Sequence, residues 1–133
     1  KTKNVVFNAI RNTGNHFKGD ITFNIVPTNV GNAMNAGTGV FTAPYDATYF
    51  FTVAGLSPSS TQTIYIKFIK NGVANENWIF HEKGGKVKQN LSYQRMLELK
   101  AGDLLKLQVV NYDFFARDDL PVIFTGQLVS LTN

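Results

Sequence analysis

Thr63-Ile64-Tyr65-Ile66-Lys67-Phe68-Ile69-Lys70-Asn71-Gly72-Val73 is an alternating stretch that ends in a turn. Ile64, Ile66 and Phe68 share one face of an extended chain, and Tyr65, Lys67 and Ile69 share the other, the period of a strand. Asn71-Gly72 then supplies two residues that tolerate positive φ, the signature of a two-residue hairpin. Val73–Phe80 reads as the return strand. A two-residue turn pairs Lys70 with Val73, which sets Lys67 against Glu76 and Tyr65 against Trp78. That charge pair is worth about 0.2–1 kcal/mol. The opposite face sets Phe68 against Asn75 and Ile66 against Asn77. Buried asparagines need partners, and a bulge in the return strand relieves the conflict. The residues alone leave both registers open.

The same grammar extends in both directions. Short segments rich in Phe, Tyr, Val, Ile and Thr are separated by Gly, Asn, Asp and Pro. Expected strands are Val5–Ile10, Ile21–Val26, Gly39–Phe41, Thr48–Val53, Thr63–Lys70, Val73–Phe80, Leu91–Leu99, Leu104–Val110 and Leu120–Leu131. Pro27 ends a pairing or marks an edge. Helical periodicity is absent. Regular short strands between turn signals make an all-β sandwich or barrel.

Composition agrees. The 133 residues include 11 Phe and 5 Tyr, with 44% hydrophobic and 17% charged. A chain of this length is expected to form one domain, residues 1–133, burying about two-thirds of its unfolded surface. It contains no cysteine, which excludes a disulfide framework and a thiolate zinc site. No apolar run approaches the length of a transmembrane helix, so membrane insertion is not expected. The chain opens at Lys1 without a methionine, which fits a mature form or an excised domain. Thirteen basic against nine acidic residues give a net charge of +4. That is a lean toward anionic partners, without the aromatic-interleaved basic platform of a nucleic-acid binder.

Catalytic constellations are missing. The two histidines, His16 and His81, are not spaced as a metal pair. Gly37-Thr38-Gly39 lacks the third glycine and following helix of a dinucleotide fingerprint. The expectation is a protein that is not an enzyme and has no cofactor. Two loops carry charge instead. His81-Glu82-Lys83-Gly84-Gly85-Lys86-Val87-Lys88 is a basic segment. It is either a solvated hairpin tip or a holder of phosphate, sulfate or carboxylate groups. Asp113-Phe114-Phe115-Ala116-Arg117-Asp118-Asp119 is either a solvated loop or a set of oxygen ligands for calcium. Adjacent Phe114 and Phe115 cannot both point inward from an extended chain, which suits one of them to a binding surface. Candidate ligand contacts are therefore His81, Lys83, Lys86 and Lys88, with Phe115, Arg117 and Asp118 as a second group. Asn90-Leu91-Ser92 is an N-glycosylation sequon, which makes Asn90 a candidate modification site.

In order along the chain, these pieces resemble the globular C1q domain of the C1q/tumour-necrosis-factor superfamily. Val5-Val6-Phe7-Asn8-Ala9-Ile10-Arg11 resembles its first strand. Ile21-Thr22-Phe23 and Thr28-Asn29-Val30-Gly31-Asn32 resemble its second block. Thr38-Gly39-Val40-Phe41-Thr42-Ala43-Pro44, with Asp46 and Tyr49-Phe50-Phe51, is the strongest match. Lys70-Asn71-Gly72, Leu97 to Asp103 and Phe124-Thr125-Gly126-Gln127-Leu128 complete it. Ala47 stands where the family usually has glycine, and a methyl group fits there if φ is negative.

The resemblance implies a ten-stranded jelly-roll sandwich assembled as a compact homotrimer. It makes Phe7, Phe41, Tyr49, Phe51, Gly102, Phe124 and Gly126 architectural. It implies a secreted, lectin-like pattern-recognition module of innate immunity that binds microbial or host surface glycans or other anionic ligands through trimer loops. The alternative is a structural or signalling trimerisation domain. Calcium-binding relatives place carboxylates ahead of the Leu91–Leu99 strand. Here that loop is basic, so the resemblance predicts an anion-attracting apex in place of an axial calcium site. The family often carries a collagen stalk before this domain, so the chain is expected to be a cut-out domain or a stalkless member.

Overall fold

The computed structural model describes residues 3–13, 16–56, 63–83, 90–115 and 121–132. Side chains are described for these except 16–18, 56, 63–65, 74–83, 90–91 and 110–115. The described residues form eleven strands: β1 (Val6–Arg11), β2 (His16–Asp20), β3 (Ile25–Val30), β4 (Met34–Asn35), β5 (Val40–Thr42), β6 (Ala47–Leu56), β7 (Thr63–Lys70), β8 (Val73–Lys83), β9 (Asn90–Leu99), β10 (Leu104–Phe115) and β11 (Val122–Leu131).

All pairings are antiparallel. One sheet runs β3-β1-β11-β6-β9. The other runs β4-β5-β10-β7-β8, with β2 also pairing β10. The sheets join at one corner, where Phe115 of β10 pairs Leu56 of β6. This is the expected jelly roll, with β2 as an addition to its ten strands.

The inner faces meet in an aromatic core. Phe7, Phe51 and Phe124 come from the first sheet, and Phe41 and Phe68 from the second. Phe7 meets Phe124 edge-on at 5.0 Å and Phe41 in a tilted contact at 5.4 Å. Phe51 stacks on Phe124 at 5.9 Å and meets Phe68 edge-on at 6.3 Å. These are preferred ring geometries, each worth about 0.5–1.5 kcal/mol beyond burial. Tyr49 is fully buried, and its hydroxyl donates to Tyr45 O at 2.7 Å while accepting from Tyr45 N at 3.2 Å. Burial raises its pKa above the ordinary phenol value.

Two glycines are required by close approach. Gly39 has φ +73°, and a Cβ there would run into the Ile21 carbonyl oxygen. Gly126 lies under the Phe7 ring, where a Cβ would stand 2.8 Å from Phe7 Cζ and 2.9 Å from Phe51 Cδ1. Ala47 lies outside the positive-φ set, and its methyl is wholly buried.

Several strand expectations need correction. Ile21–Val26 is not one strand: Ile21 to Asn24 links β2 to β3. Pro27 lies inside β3, an edge strand, next to the register shift between Asn8 and Ile10. A missing N–H is tolerated at such a place. The hairpin holds Lys70 to Val73 and Ile69 to Ala74 as expected, but Lys67 then pairs Ile79 and Tyr65 pairs His81. Residues 75–78 all pass opposite Phe68, so Lys67 does not face Glu76 and Tyr65 does not face Trp78. The bulge also removes Asn77 from Ile66, whose partner is Phe80. Finally, β10 runs on past Val110 to Phe115, because β2 supplies its outer partner.

Candidate functional site

The sandwich has two dissimilar ends. At one end, three turns are tied together. Asn71 has φ +52° and sits in the β7–β8 turn. Its side chain accepts from Leu104 N at 2.8 Å and donates to Asp103 Oδ1 at 3.1 Å. Asp103 accepts from Lys100 N at 2.9 Å and lies 3.6 Å from Lys70 Nζ. Asp46 accepts from Ala101 N at 2.7 Å. Gly102, with φ +93°, donates its N–H to Ala43 O at 2.7 Å. Burial pulls the Asp103 pKa up, but the bonds from Lys100 N, Asn71 and Lys70 outweigh it and hold the group low. A cleft of about 500 Å³ opens here among Asp46, Lys70, Glu98, Lys100 and Asp103. Its Asp46 and Asp103 carboxylates are occupied with structural bonds. Both chain ends leave from this side: Leu128 N donates to Val5 O at 2.8 Å, and Thr132 N to Asp46 O at 3.1 Å.

At the opposite end lie the stems of the candidate ligand loops. Lys83 closes β8 opposite Thr63. Phe115 closes β10 opposite both His16 and Leu56. Leu56 in turn pairs Asn90, the first residue of β9. The two charged segments therefore spring from one end, although they are far apart in sequence. His81 and Lys83 belong to a strand and not to a loop, because β7 pairs with β8 through to Thr63. Asp113, Phe114 and Phe115 likewise belong to β10. Lys86, Lys88, Arg117 and Asp118 lie outside the described residues, as does most of the Asp113–Asp119 calcium candidate. Among the described residues no group of three or more metal-ligating side chains comes together. Among the same residues no helix is long and apolar enough to cross a membrane.

The architectural positions sit as packing requires. Phe7, Phe41, Tyr49, Phe51 and Phe124 are all buried at 1% exposure or less.

A third feature was missed in the sequence. The first sheet's outer face is arranged in rows across its strands. One row runs Met96, Phe50, Gln127, Val6, Val30. The next runs Gln94, Thr52, Thr125, Asn8, Thr28. A third runs Ser92, Ala54, Ile123, Ile10, Ile25. None of these residues is charged. Met96 is 55% exposed and Phe50 half-buried on the side away from Tyr49 and Phe51. In the middle row the Thr52 and Thr125 hydroxyls bond to each other. Loss of charge, with apolar side chains left at the surface, marks the core of a protein–protein interface. The signal was present in Tyr49-Phe50-Phe51: three consecutive aromatics in a strand must send at least one to the outer face.

Comparison with known proteins agrees with this geometry. A family model described as the C1q domain matches residues 6–129. Complement C1q tumor necrosis factor-related protein 3 from Homo sapiens is 32% identical over 91 residues, covering 68% of this chain, and its Mus musculus counterpart matches equally. The chain spans 37% of the length of these relatives. Among solved structures, the globular domain of zebrafish complement 1qA superposes with a TM-score of 0.77 at 20% identity, covering 98% of this chain and all of that one. Eiger TNF from S. frugiperda gives 0.73 at 14% identity, covering 99% of this chain and 97% of that one. Murine APRIL gives 0.70 at 11% identity, covering 92% and 98%. All three likenesses are of fold. By the family match over nearly its whole length, this chain belongs to the C1q domain family.

Proposed function

We propose that the chain is an extracellular recognition module that assembles as a homotrimer and binds anionic or glycan ligands through one end. As a C1q domain it is a non-enzymatic binding and assembly module. The observation that carries the finer reading is the shared placement of the loop stems. His81 and Lys83 approach the same end as Phe115, and the segments bearing Lys86, Lys88, Arg117 and Asp118 start there. Four basic groups per copy, repeated in an array, attract phosphate, sulfate or carboxylate. Weak single sites gain avidity when a rigid array engages several at once. Three adjacent uncharged rows on the outer face of the first sheet, bordered by Glu98, support self-assembly, because copies of a +4 chain meet there without close contact between like charges. Such a module suits secreted pattern recognition in innate immunity, on microbial or host surfaces. The reading needs no cofactor, calcium, nucleic acid or inserted membrane segment.

The uncharged rows equally favour a second reading, a structural or signalling trimer with no sugar site. Replacing Lys83, Lys86 and Lys88 together by alanine separates the two. The variant is tested against sulfated and sialylated glycan arrays at increasing salt. Loss of salt-sensitive binding with unchanged mass supports recognition through the basic segment. Unchanged binding, or no binding by the wild type, supports the second reading. Light scattering in calcium and then chelator should give about 44 kDa in both, three times 14.8 kDa. Dissociation in chelator would overturn the calcium-independent assembly.

A further inference from the structure

Asn71 is the one asparagine of the chain that is followed by glycine. That dipeptide has a chemistry of its own, because glycine puts no side chain in the way of its own nitrogen. The Gly72 main-chain nitrogen attacks Asn71 Cγ and gives up its proton to hydroxide or water. The new carbon–nitrogen bond closes a cyclic imide, and the side-chain nitrogen leaves as ammonia. Water then opens the imide at either carbonyl. One opening leaves an ordinary main chain with aspartate at position 71. The other leaves isoaspartate, which runs the main chain through Cβ.

The fold holds this reaction back. Cyclisation needs the Asn71 side chain to swing over its own main chain and the Gly72 nitrogen to turn toward it. Asn71 has φ +52° and Gly72 φ +82°, both positive as a type I′ turn between Lys70 and Val73 requires. Both ends of the side-chain amide are engaged elsewhere. Oδ1 accepts from Leu104 N at 2.8 Å, and Nδ2 donates to Asp103 Oδ1 at 3.1 Å. Solvent is nonetheless at hand. Asn71 and Gly72 are exposed, Val73 is 68% exposed, and a Cβ on Gly72 would meet nothing within 4 Å.

We propose that Asn71 is a site of spontaneous deamidation, gated by the tie between the β7–β8 turn and the β9–β10 turn. Exposed tips open locally far more often than the core does, and each opening frees Cγ. The product cannot rebuild the tie. Aspartate at position 71 has no N–H to give Asp103, and it sets a second carboxylate beside the first, where like charges repel. Isoaspartate adds a main-chain atom to a two-residue turn, which then cannot keep Lys70–Val73 and Ile69–Ala74 both in register. The change therefore runs one way. It lowers the net charge by one from +4 and loosens the end from which both termini leave.

The test is incubation in mildly alkaline buffer at body temperature, with the peptide around residue 71 followed by mass spectrometry. The samples are the folded wild type, the wild type unfolded in urea, and Asp103→Ala checked for folding by circular dichroism. The unfolded chain should react fastest, and the folded wild type at least about tenfold more slowly. Asp103→Ala should react about threefold to tenfold faster than the folded wild type. A folded wild type as fast as the unfolded chain, an unreactive unfolded chain, or an unchanged rate in folded Asp103→Ala overturns the proposal. The wild type alone supplies a second check if Asp103→Ala fails to fold. Opening of a local tie exposes little surface, so the rate should stay nearly flat in dilute urea and rise only within the unfolding transition. A rate that tracks the unfolded fraction at every urea concentration overturns the gate. Asn71→Asp, the product made directly, should lower the urea midpoint, and an unchanged midpoint overturns the loss of the tie.

Discussion

Gly126 shows how tightly single residues are specified. A methyl group there meets two rings that already touch other rings, so relief must come from Phe7 or Phe51 leaving its place. Gly126→Ala is expected to lower stability by about 1–3 kcal/mol through overpacking, read as a drop in urea midpoint with an unchanged slope. Tyr49 tests the opposite case, a polar atom that packing has enclosed. Tyr49→Phe removes the acceptor of Tyr45 N and the donor to Tyr45 O, and should cost about 1–2 kcal/mol. Its ring contacts with Phe41 and Phe51 remain. Among the described residues, two carboxylates have depressed pKa values and so contribute acid sensitivity. Bonds from Lys106 and Gln108 lower the Asp20 pKa, and Asp103 is lowered as well. A depressed native pKa stabilises the fold above the ordinary carboxylate value near 3.8, and the gain fades as pH falls through the depressed values. Thermal melts from pH 6 to pH 2 should therefore fall in the acid range, and Asp20→Asn with Asp103→Asn should flatten that fall.

At the scale of elements, the hairpin turn is more than a reversal. Asn71 supplies both a left-handed conformation and two side-chain bonds to the β9–β10 turn. Asn71→Gly keeps the conformation and loses the bonds, so it isolates the tie. A cost of about 0.5–1.5 kcal/mol is expected for each lost bond, because water can reach these exposed groups, measured by denaturant unfolding. Asn71→Ala should be worse, because alanine is strained at positive φ. The same elements show what could be read in advance. Thr63–Lys70 declared itself through alternation, and Asn71-Gly72 through turn chemistry. The register beyond Ala74 did not, because residues 75–78 carry no apolar rhythm that would show how many of them the bulge absorbs. β2 escaped notice for a related reason. His16-Phe17-Lys18-Gly19-Asp20 has no strand pattern, and its place depends on long-range partners: Asp20 bonded to Lys106 and Gln108, and Gly19 paired with Val109. Met34–Asn35 is too short for any pattern; Asn29, which bonds Met34 N and Met34 O, holds it.

At the scale of the whole molecule, the core positions were legible because packed aromatics leave an ordered trail of motifs. The uncharged rows were not, since their residues are ordinary singly and become unusual only when strand register lines them up. The charged candidates were legible as composition, and only the strand ends show that two distant segments start from one place. Met96→Glu puts a charge into the three uncharged rows at an exposed site, beyond Glu98 at their border. It should yield a monomer of 14.8 kDa that keeps its strand circular dichroism, with mass photometry as the readout.

Both chain ends leave from the tied end, while the basic segment springs from the other. Anything fused to either terminus, whether a natural neighbour, an affinity tag or a chip linker, is thus carried on the far side. An immobilised array built through the termini would hold its candidate contact surface outward. The orientation comes from the antiparallel pairing of the first strand with the last, and needs no engineering of the loops themselves.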